Sequence, residues 1–226
     1  AFFLTQPNQI DDEARRFKLE PEDIEKINPN TKTAPIFRTS PDAKLTSEIY
    51  DKIPVLRRYK FDKKVNKIGE VNPWKLDTTR LYNMGLSDVE ASVVYEDDYQ
   101  ALPIYESKLM WKYDHRYSTY ENVSKEDREN GNTKYLSITE KENYSKKVLP
   151  RRWMPLSAMK DKHEEWRKEN KWFLCYRNIA RTTDERTAIA SIIPDSAPDF
   201  SLRVALFDEI VPYQLFLGNF NSLIFD

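Results

Sequence analysis

Apolar residues change their spacing several times along the chain, and each change marks an element. Pro21 follows Glu20 and opens a short helix, with Glu22 and Asp23 in the first turn where the helix dipole favours acids. The pattern breaks at Asn28-Pro29-Asn30, a turn signal. Ser40-Pro41-Asp42 predicts a second helix start, with Ser40 as N-cap and Pro41 at the first helical position. Leu45, Ile49, Ile53 and Leu56 continue it as an apolar stripe, which Pro54 limits in length. Residues 62–74 are polar and charged and predict a loop or linker.

Further on, the period becomes two. Residues 109–120 place Trp111, Tyr113, His115 and Tyr117 on one face and Lys112, Asp114, Arg116 and Ser118 on the other, which predicts a half-buried strand. On that pattern His115 is a core histidine on the aromatic face, and Asp114-His115-Arg116 is ion-pair scaffolding. Residues 121–133 are polar and hold Asn130-Gly131, a surface turn, and residues 157–170 predict an exposed, charged helix. Two strands follow, 172–179 and 187–193, with the polar stretch 181–186 between them. The tail 211–225 is apolar and helical, with Pro212 near its start, and Trp153, Trp166 and Trp172 are assigned to the core. Helices and strands intersperse without regular βα alternation, so the expected class is α+β, a mixed sheet with interspersed helices and no Rossmann unit. The expected division is a helical connector over 1–66 and an α+β domain over 67–226.

Composition narrows the chemistry. A chain of 226 residues can bury a core without disulfides or metals. Its single cysteine, Cys175, excludes a disulfide framework, and with only His115 and His163 beside it a zinc cluster is out of reach. No apolar run approaches membrane-spanning length, and no signal peptide supports the sequons at Asn122 and Asn143. The start, Ala1-Phe2-Phe3-Leu4, reads as internal sequence, so a piece of a larger cytoplasmic protein is expected. A net charge of −1 makes no case for nucleic acid, so local clusters matter more. Basic residues gather at Arg57-Arg58 with Lys60, at Lys63-Lys64 with Lys67, and at Lys146-Lys147 with Arg151-Arg152. They recur at Arg177, Arg181 and Arg186. For any one cluster, a solvated face balanced by acids is the ordinary expectation.

Motifs for catalysis are scarce. Gly69, Gly85, Gly131 and Gly218 are too scattered for a phosphate loop or dinucleotide fingerprint, which needs clustered glycines for close backbone approach. There is no nucleophile elbow. Asp97-Asp98 followed by Glu106-Ser107-Lys108 has the residue types of a magnesium-dependent nuclease, carboxylates for the metal and a lysine to orient water. Such loosely spaced, common residues also arise by chance in so charged a chain.

Five blocks, in order, resemble a known family. These are FKLEPEDIEKINPNTKTAPIFRTSPDAKLTSEIYDKIPVLRR (17–58), LPIYESKLMWKYDHRYSTYE (102–121), PRRWMP (150–155), WFLCYRNIARTTDERTAIASIIP (172–194) and NFNSLIFD (219–226). They are similar to the region that follows the methylase core in large bacterial class I adenine-N6 DNA methyltransferases of restriction-modification or Type IIG-like systems. Ser107 stands where that family usually has Gly, and LYNMGLS (81–87) replaces its Met-aromatic-His stretch. Neither the family's cofactor motif nor its Asn-Pro-Pro-aromatic motif is in this sequence.

The resemblance implies a target-recognition region that is not itself catalytic. It would hold double-stranded DNA for a methylase domain of the same polypeptide, alongside restriction subunits. No cofactor is expected in this chain, and S-adenosylmethionine would belong to the parent enzyme. A methylase must swing its target adenine out of the stack, so another domain has to grip the duplex and read neighbouring bases. Arg177, Arg181 and Arg186, with Thr182, Thr183 and Thr187, crowd the turn between two predicted strands. Arg suits bidentate bonds to guanine, and Thr suits phosphates or a thymine methyl. Together with Arg151 and Arg152 they form the expected DNA-contacting set. The structural alternative is that Asp184 and Glu185 pair with these arginines to build the turn. Two other functional classes stay open: a protein-docking scaffold, marked by an exposed apolar patch, and a nuclease built on Glu106 and Lys108.

Overall fold

The computed structural model describes residues 4–62, 66–79, 101–156, 170–181, 184–223 and 225, and the chain is α+β. It divides into two compact units, Ala1–Lys75 and Leu76–Asp226. The helix expected over 157–170, with Trp166, the 81–87 stretch, Lys63-Lys64 and Asp97-Asp98 lie outside the described residues, as do Thr182 and Thr183. Among the described residues no helix is long and apolar enough to cross a membrane.

In the first unit, α1 (Pro21–Ile27) and α2 (Ser40–Lys52) follow the expected starts, with one correction. Thr39, not Ser40, is the N-cap of α2: its side chain accepts from the Asp42 amide while the Asp42 carboxylate takes the Thr39 N–H. That reciprocal pair satisfies two amides that the helix start leaves free. Lys26 ties α1 to α2 through Asp51 at 2.7 Å and the Ser47 hydroxyl at 3.1 Å. Little apolar surface is buried here; Ile27, Pro29 and Ala43 are the buried residues among those described. The predicted stripe faces outward within its unit, with Leu45 59% and Ile53 65% exposed.

Residues 62–74 are not a linker. β1 (Arg58–Phe61) and β2 (Lys67–Val71) pair antiparallel, and the Asn66 amide donates to Asp62 Oδ1 where the hairpin closes. Because most of the pair is exposed, it has no hydrophobic alternation to betray it. Charge and side-chain amides hold it instead. Glu70 accepts from Arg57 and Lys67 at 2.9 and 2.8 Å, and these bonds, Lys67 first, lower its pKa to about 2. Asn30 bonds the Arg57 carbonyl and the Tyr59 amide, anchoring the hairpin to the turn after α1.

The second unit is built on a four-stranded sheet. β3 (Asp77–Thr79), β8 (Trp172–Arg177), β9 (Ala190–Pro194) and β11 (Leu202–Leu206) run in the order β3-β11-β8-β9, all antiparallel. A second sheet holds β4 (Ala101–Tyr105) between β7 (Trp153–Pro155) and β10 (Ala197–Pro198), with β10 parallel to β4. Phe173 and Cys175 of β8 point into the main core with Ile104, Leu109, Met110 and Met154, and the buried Cys175 thiol is driven well up in pKa. Leu174 points the other way, toward Phe207 and Tyr213, with Trp172 and Tyr176 packed alongside. α5 (Ile210–Phe220), the predicted tail helix, covers this second face. Burial on both faces is why β8 reads as an unbroken apolar run. Trp153 is buried and Trp172 half-buried.

Residues 109–120 overturn the strand expectation. Only β5 (Ser118–Thr119) is strand, paired with β6 (Lys134–Tyr135). Before it, Trp111 and Asp114 close a tight turn through reciprocal backbone bonds of 2.7 and 3.1 Å, with Tyr113 left-handed at φ 59°. The aromatic alternation is absorbed by stacking, since Trp111 lies on Tyr117 with centroids 5.1 Å apart. His115 is exposed, which corrects its placement in the core. Asp114 and Arg116 do scaffold the region, Asp114 through Lys141 at 2.6 Å and Arg116 through the carbonyls of Lys141, Asn143 and Lys146. The polar stretch after residue 121 forms α3 (Lys125–Asn130), capped by Ser124 and ended by Gly131 at φ 76°, a conformation that glycine adopts without strain. A second short helix, α4 (Ile138–Glu142), begins at the Ser137 cap.

Strand β9 lies at the edge of its sheet, and one side chain closes part of that edge. The buried Asn221 carboxamide accepts from the Ala190 N–H at 2.8 Å and donates to the Ala190 carbonyl at 2.9 Å, as a further strand would. Asn221→Ala should destabilise the protein by about 1–3 kcal/mol, since it leaves the buried Ala190 N–H unpaired and the Ala190 carbonyl with only the Tyr113 N–H. Asn221→Asp keeps the acceptor but sets an anion against the Ala190 carbonyl, so its deficit should shrink as pH falls and the carboxyl regains a proton. Denaturant melts of both variants at pH 4 and pH 7 check this, and parental stability in Asn221→Ala would contradict the edge-closing role.

Candidate nucleic-acid interface

The arginine and threonine positions sit on the connection between β8 and β9, whose strands hold its base in the core. β8 ends at Arg177, and β9 begins at Ala190 with Ala188 and Ile189 already buried. Arg181, Glu185 and Thr187 are exposed, and Asp184 and Arg186 are half-buried.

Arg177 does not project from this loop. Its Nε donates to the Ser107 carbonyl at 3.2 Å and its Nη2 to the Met110 carbonyl at 2.7 Å. The guanidinium also lies over the Trp111 ring, 4.8 Å from the centroid, and burial lowers its pKa. Its fixed fork therefore joins the end of β8 to the turn around Trp111. Sequence reasoning grouped it with Arg181 and Arg186 by composition; the geometry gives it a bracing role.

The loop itself is organised by Asp184. Its carboxylate accepts from the Arg181 amide at 2.9 Å, and its own amide donates to the Arg181 carbonyl at 3.1 Å. Asp184 thus builds the turn, as the structural alternative supposed, but through the backbone of Arg181. The Arg181 side chain stays exposed.

Arg151 and Arg152 lie elsewhere, just before β7. Arg151 donates to the Glu129 carbonyl at the end of α3, and a Cβ on Gly131 would come within 3.3 Å of its Nη1. The Arg152 Nε is buried with no partner among the described residues, and the Arg152 carbonyl accepts from the Ile104 amide at 3.0 Å. Elsewhere, some members of the basic clusters pair with acids: Arg57 and Lys67 with Glu70, and Lys146 with Glu121.

The Glu106-Ser107-Lys108 segment has a different organisation from a metal centre's. Glu106 accepts from the Tyr120 hydroxyl at 2.8 Å, and Lys108 donates to the Gly131 carbonyl at 2.6 Å while lying 3.4 Å from Glu106. Among the described residues no group of three His, Cys, Asp or Glu side chains could hold a metal ion. Asp199, which sequence reasoning missed, is buried nearby in charge terms. Desolvation first, with the Glu106 charge adding, raises its pKa to about 6 although Ser201 hydrogen bonds oppose the shift. A lone carboxylate between Pro198 and Phe200 in an apolar stretch was its only signal in the sequence.

No family model, curated protein or solved structure matches this chain.

Two outcomes follow from this geometry. Arg177→Ala should lower stability by about 2–3 kcal/mol, because two carbonyls lose a charged donor. An unchanged melting temperature would contradict the bracing role. Asp199 titrates higher in the folded chain than its ordinary 3.8, so its stabilising contribution is complete below pH 3.8 and is lost as pH rises through about 6. Asp199→Asn keeps the acceptor for Ser201 and removes the charge. It should match the parent near pH 3.5 and exceed it at pH 7 by up to about 3 kcal/mol. Parallel melts across that range check the difference.

Proposed function

We propose that this chain is a DNA-binding, target-recognition module of an adenine-N6 DNA methyltransferase in a restriction-modification or phage-defence system. In this reading it works in the cytoplasm and positions duplex DNA for a methylase domain of the same polypeptide, which supplies S-adenosylmethionine. The observation that carries the reading is the β8–β9 loop. It extends from a strand buried on both faces, keeps the Arg181 side chain exposed, and uses the Asp184 carboxylate on backbone rather than on guanidinium. Loops on rigid scaffolds commonly carry binding residues. The five ordered blocks that resemble the methyltransferase family support the same reading.

A division of labour follows. Arg181, Arg186 and Thr187 contact DNA, while Arg177 holds the base of the loop in place. Arg151 and Arg152 provide phosphate contacts beside α3. A docking scaffold is the second reading, favoured by the outward stripe of Leu45, Ile49 and Ile53 on α2. Nothing in the bonding of Glu106 and Lys108 favours the nuclease.

The test is duplex binding by the chain and its variants across a salt series. Arg181→Ala should weaken binding with no change in melting temperature, and Arg186→Ala should weaken binding by its folded fraction. A phosphate-contacting arginine lowers the salt slope by about one for every sequence alike. A base-reading arginine costs roughly 1–3 kcal/mol on the correct site and relaxes specificity at one position. Normal affinity in both folded variants would move the assignment to the scaffold.

A further inference from the structure

The outer edge of β9 offers one residue whose backbone groups remain open. Arg177 donates to the Ile189 carbonyl at 2.9 Å, which fixes the alternation of this antiparallel ladder. Residues 189, 191 and 193 bond toward β8, and residues 190, 192 and 194 turn their N–H and C=O groups outward. At Ala190 both groups are taken by Asn221. Pro194 has no N–H to offer. Between them, the Ile192 N–H has no partner among the described residues, and the Ile192 carbonyl receives only the Ser191 hydroxyl at 3.3 Å, leaving room for a second donor.

Ile192 opens into a groove of about 330 Å³, walled by Tyr113, His115, Trp172, Pro194 and Leu217. That volume lies at the small end of ligand pockets, which are mostly apolar with a few directed polar groups. Tyr113 stands at its mouth, 60% exposed and held at φ 59°, a conformation that bulky residues rarely adopt. Its N–H is fixed to the Ala190 carbonyl at 3.2 Å, so the ring is presented from a braced backbone. Strained residues of this kind persist where the surrounding structure determines them, and they cluster at binding sites.

We infer that this groove binds a nucleobase by its edge, with the Ile192 N–H and C=O facing adjacent acceptor and donor atoms of the base, and Tyr113 and Trp172 as aromatic walls. The template for this bond pattern sits two residues away, where Ala190 grips the carboxamide of Asn221 with the same two groups. Adenine presents a donor beside an acceptor, which is why carboxamide side chains recognise it bidentately. An added peptide strand does not fit, because it needs successive open residues along the edge. Here the position before Ile192 is closed and the one after lacks an N–H. Base–aromatic contacts supply attraction that does not depend on the base chosen. Desolvation first, with the Arg116 charge adding and Asp114 opposing, lowers the His115 pKa from its ordinary 6.5 and favours the uncharged ring at the rim. The same chemistry serves a free nucleotide or a base swung out of a duplex. The inference stands apart from the Arg181 loop, which is not part of the groove.

The test titrates the full chain with adenosine by calorimetry. It then adds a DNA hairpin carrying one unpaired adenine, beside its fully paired twin. Ile192→Pro removes the outward N–H without breaking a ladder bond, on an edge that already carries Pro194. Tyr113→Gly removes the wall and suits the left-handed backbone. Saturable adenosine binding that falls about tenfold in either folded variant is the expected result, the size of one lost hydrogen bond. Preference for the unpaired hairpin assigns the groove to an extrahelical base, and adenosine binding without that preference assigns it to a free nucleotide. No saturable binding of adenosine, or parental affinity in both folded variants, would overturn the proposal.

Discussion

Burial of β8 on both faces is the constraint on which the second unit depends. Phe173 and Cys175 fill one core while Leu174 fills the other, so no face of this strand is left for solvent. Its backbone groups must then pair within the sheet, which they do with β9 on one side and β11 on the other. From this follow the apolar covering by α5 and the need to end the sheet at β9. Asn221 at the end of α5 meets that need at Ala190, and the Tyr213 hydroxyl bonds both backbone groups of Phe207 just beyond β11. The helix is therefore held by directed bonds at its start and at its end, with aromatic packing between.

The same constraint explains why Arg177 cannot be judged by its residue type. It is the last residue of a strand whose register is fixed, so its side chain is delivered to one place. That place is beside the carbonyls of Ser107 and Met110, where a turn leaves acceptors in need of a donor. An exposed arginine keeps a flexible guanidinium in solvent; a half-buried one bonded to two carbonyls is a brace. The stack of Arg177 on Trp111, and of Trp111 on Tyr117, extends that brace into the segment around His115.

How much of this was legible in the sequence depended on what each segment buries. The run WFLCYR and the apolar tail were readable because both are covered, and covered segments must be apolar. α1 and α2 were readable from their prolines and first-turn acids, although the cap moved by one residue because Thr39 and Asp42 suit the reciprocal bonds. Residues 109–120 misled because alternating aromatics satisfy a stacked turn as well as a strand, and Asp114 can close such a turn with Trp111. The β1–β2 hairpin was hidden because its stability comes from Glu70, Arg57, Lys67 and Asn30 rather than from a buried face. At the candidate interface, composition could not separate Arg177, which braces, from Arg181, which is exposed.

The two units also divide the functional readings between them. Exposed apolar residues on α2 lie in the first unit, while the Arg181 loop and the Ile192 groove lie in the second. Docking through one unit and binding through the other use different physical forces, apolar burial against charge and directed hydrogen bonds. They therefore respond differently to salt: added salt weakens phosphate contacts steeply and leaves apolar association intact or strengthened. A chain with both activities would lose DNA at high ionic strength while keeping its protein partner. The scaffold and DNA proposals are thus separable by their salt dependence, and evidence for docking through α2 would not count against the proposal for the β8–β9 loop.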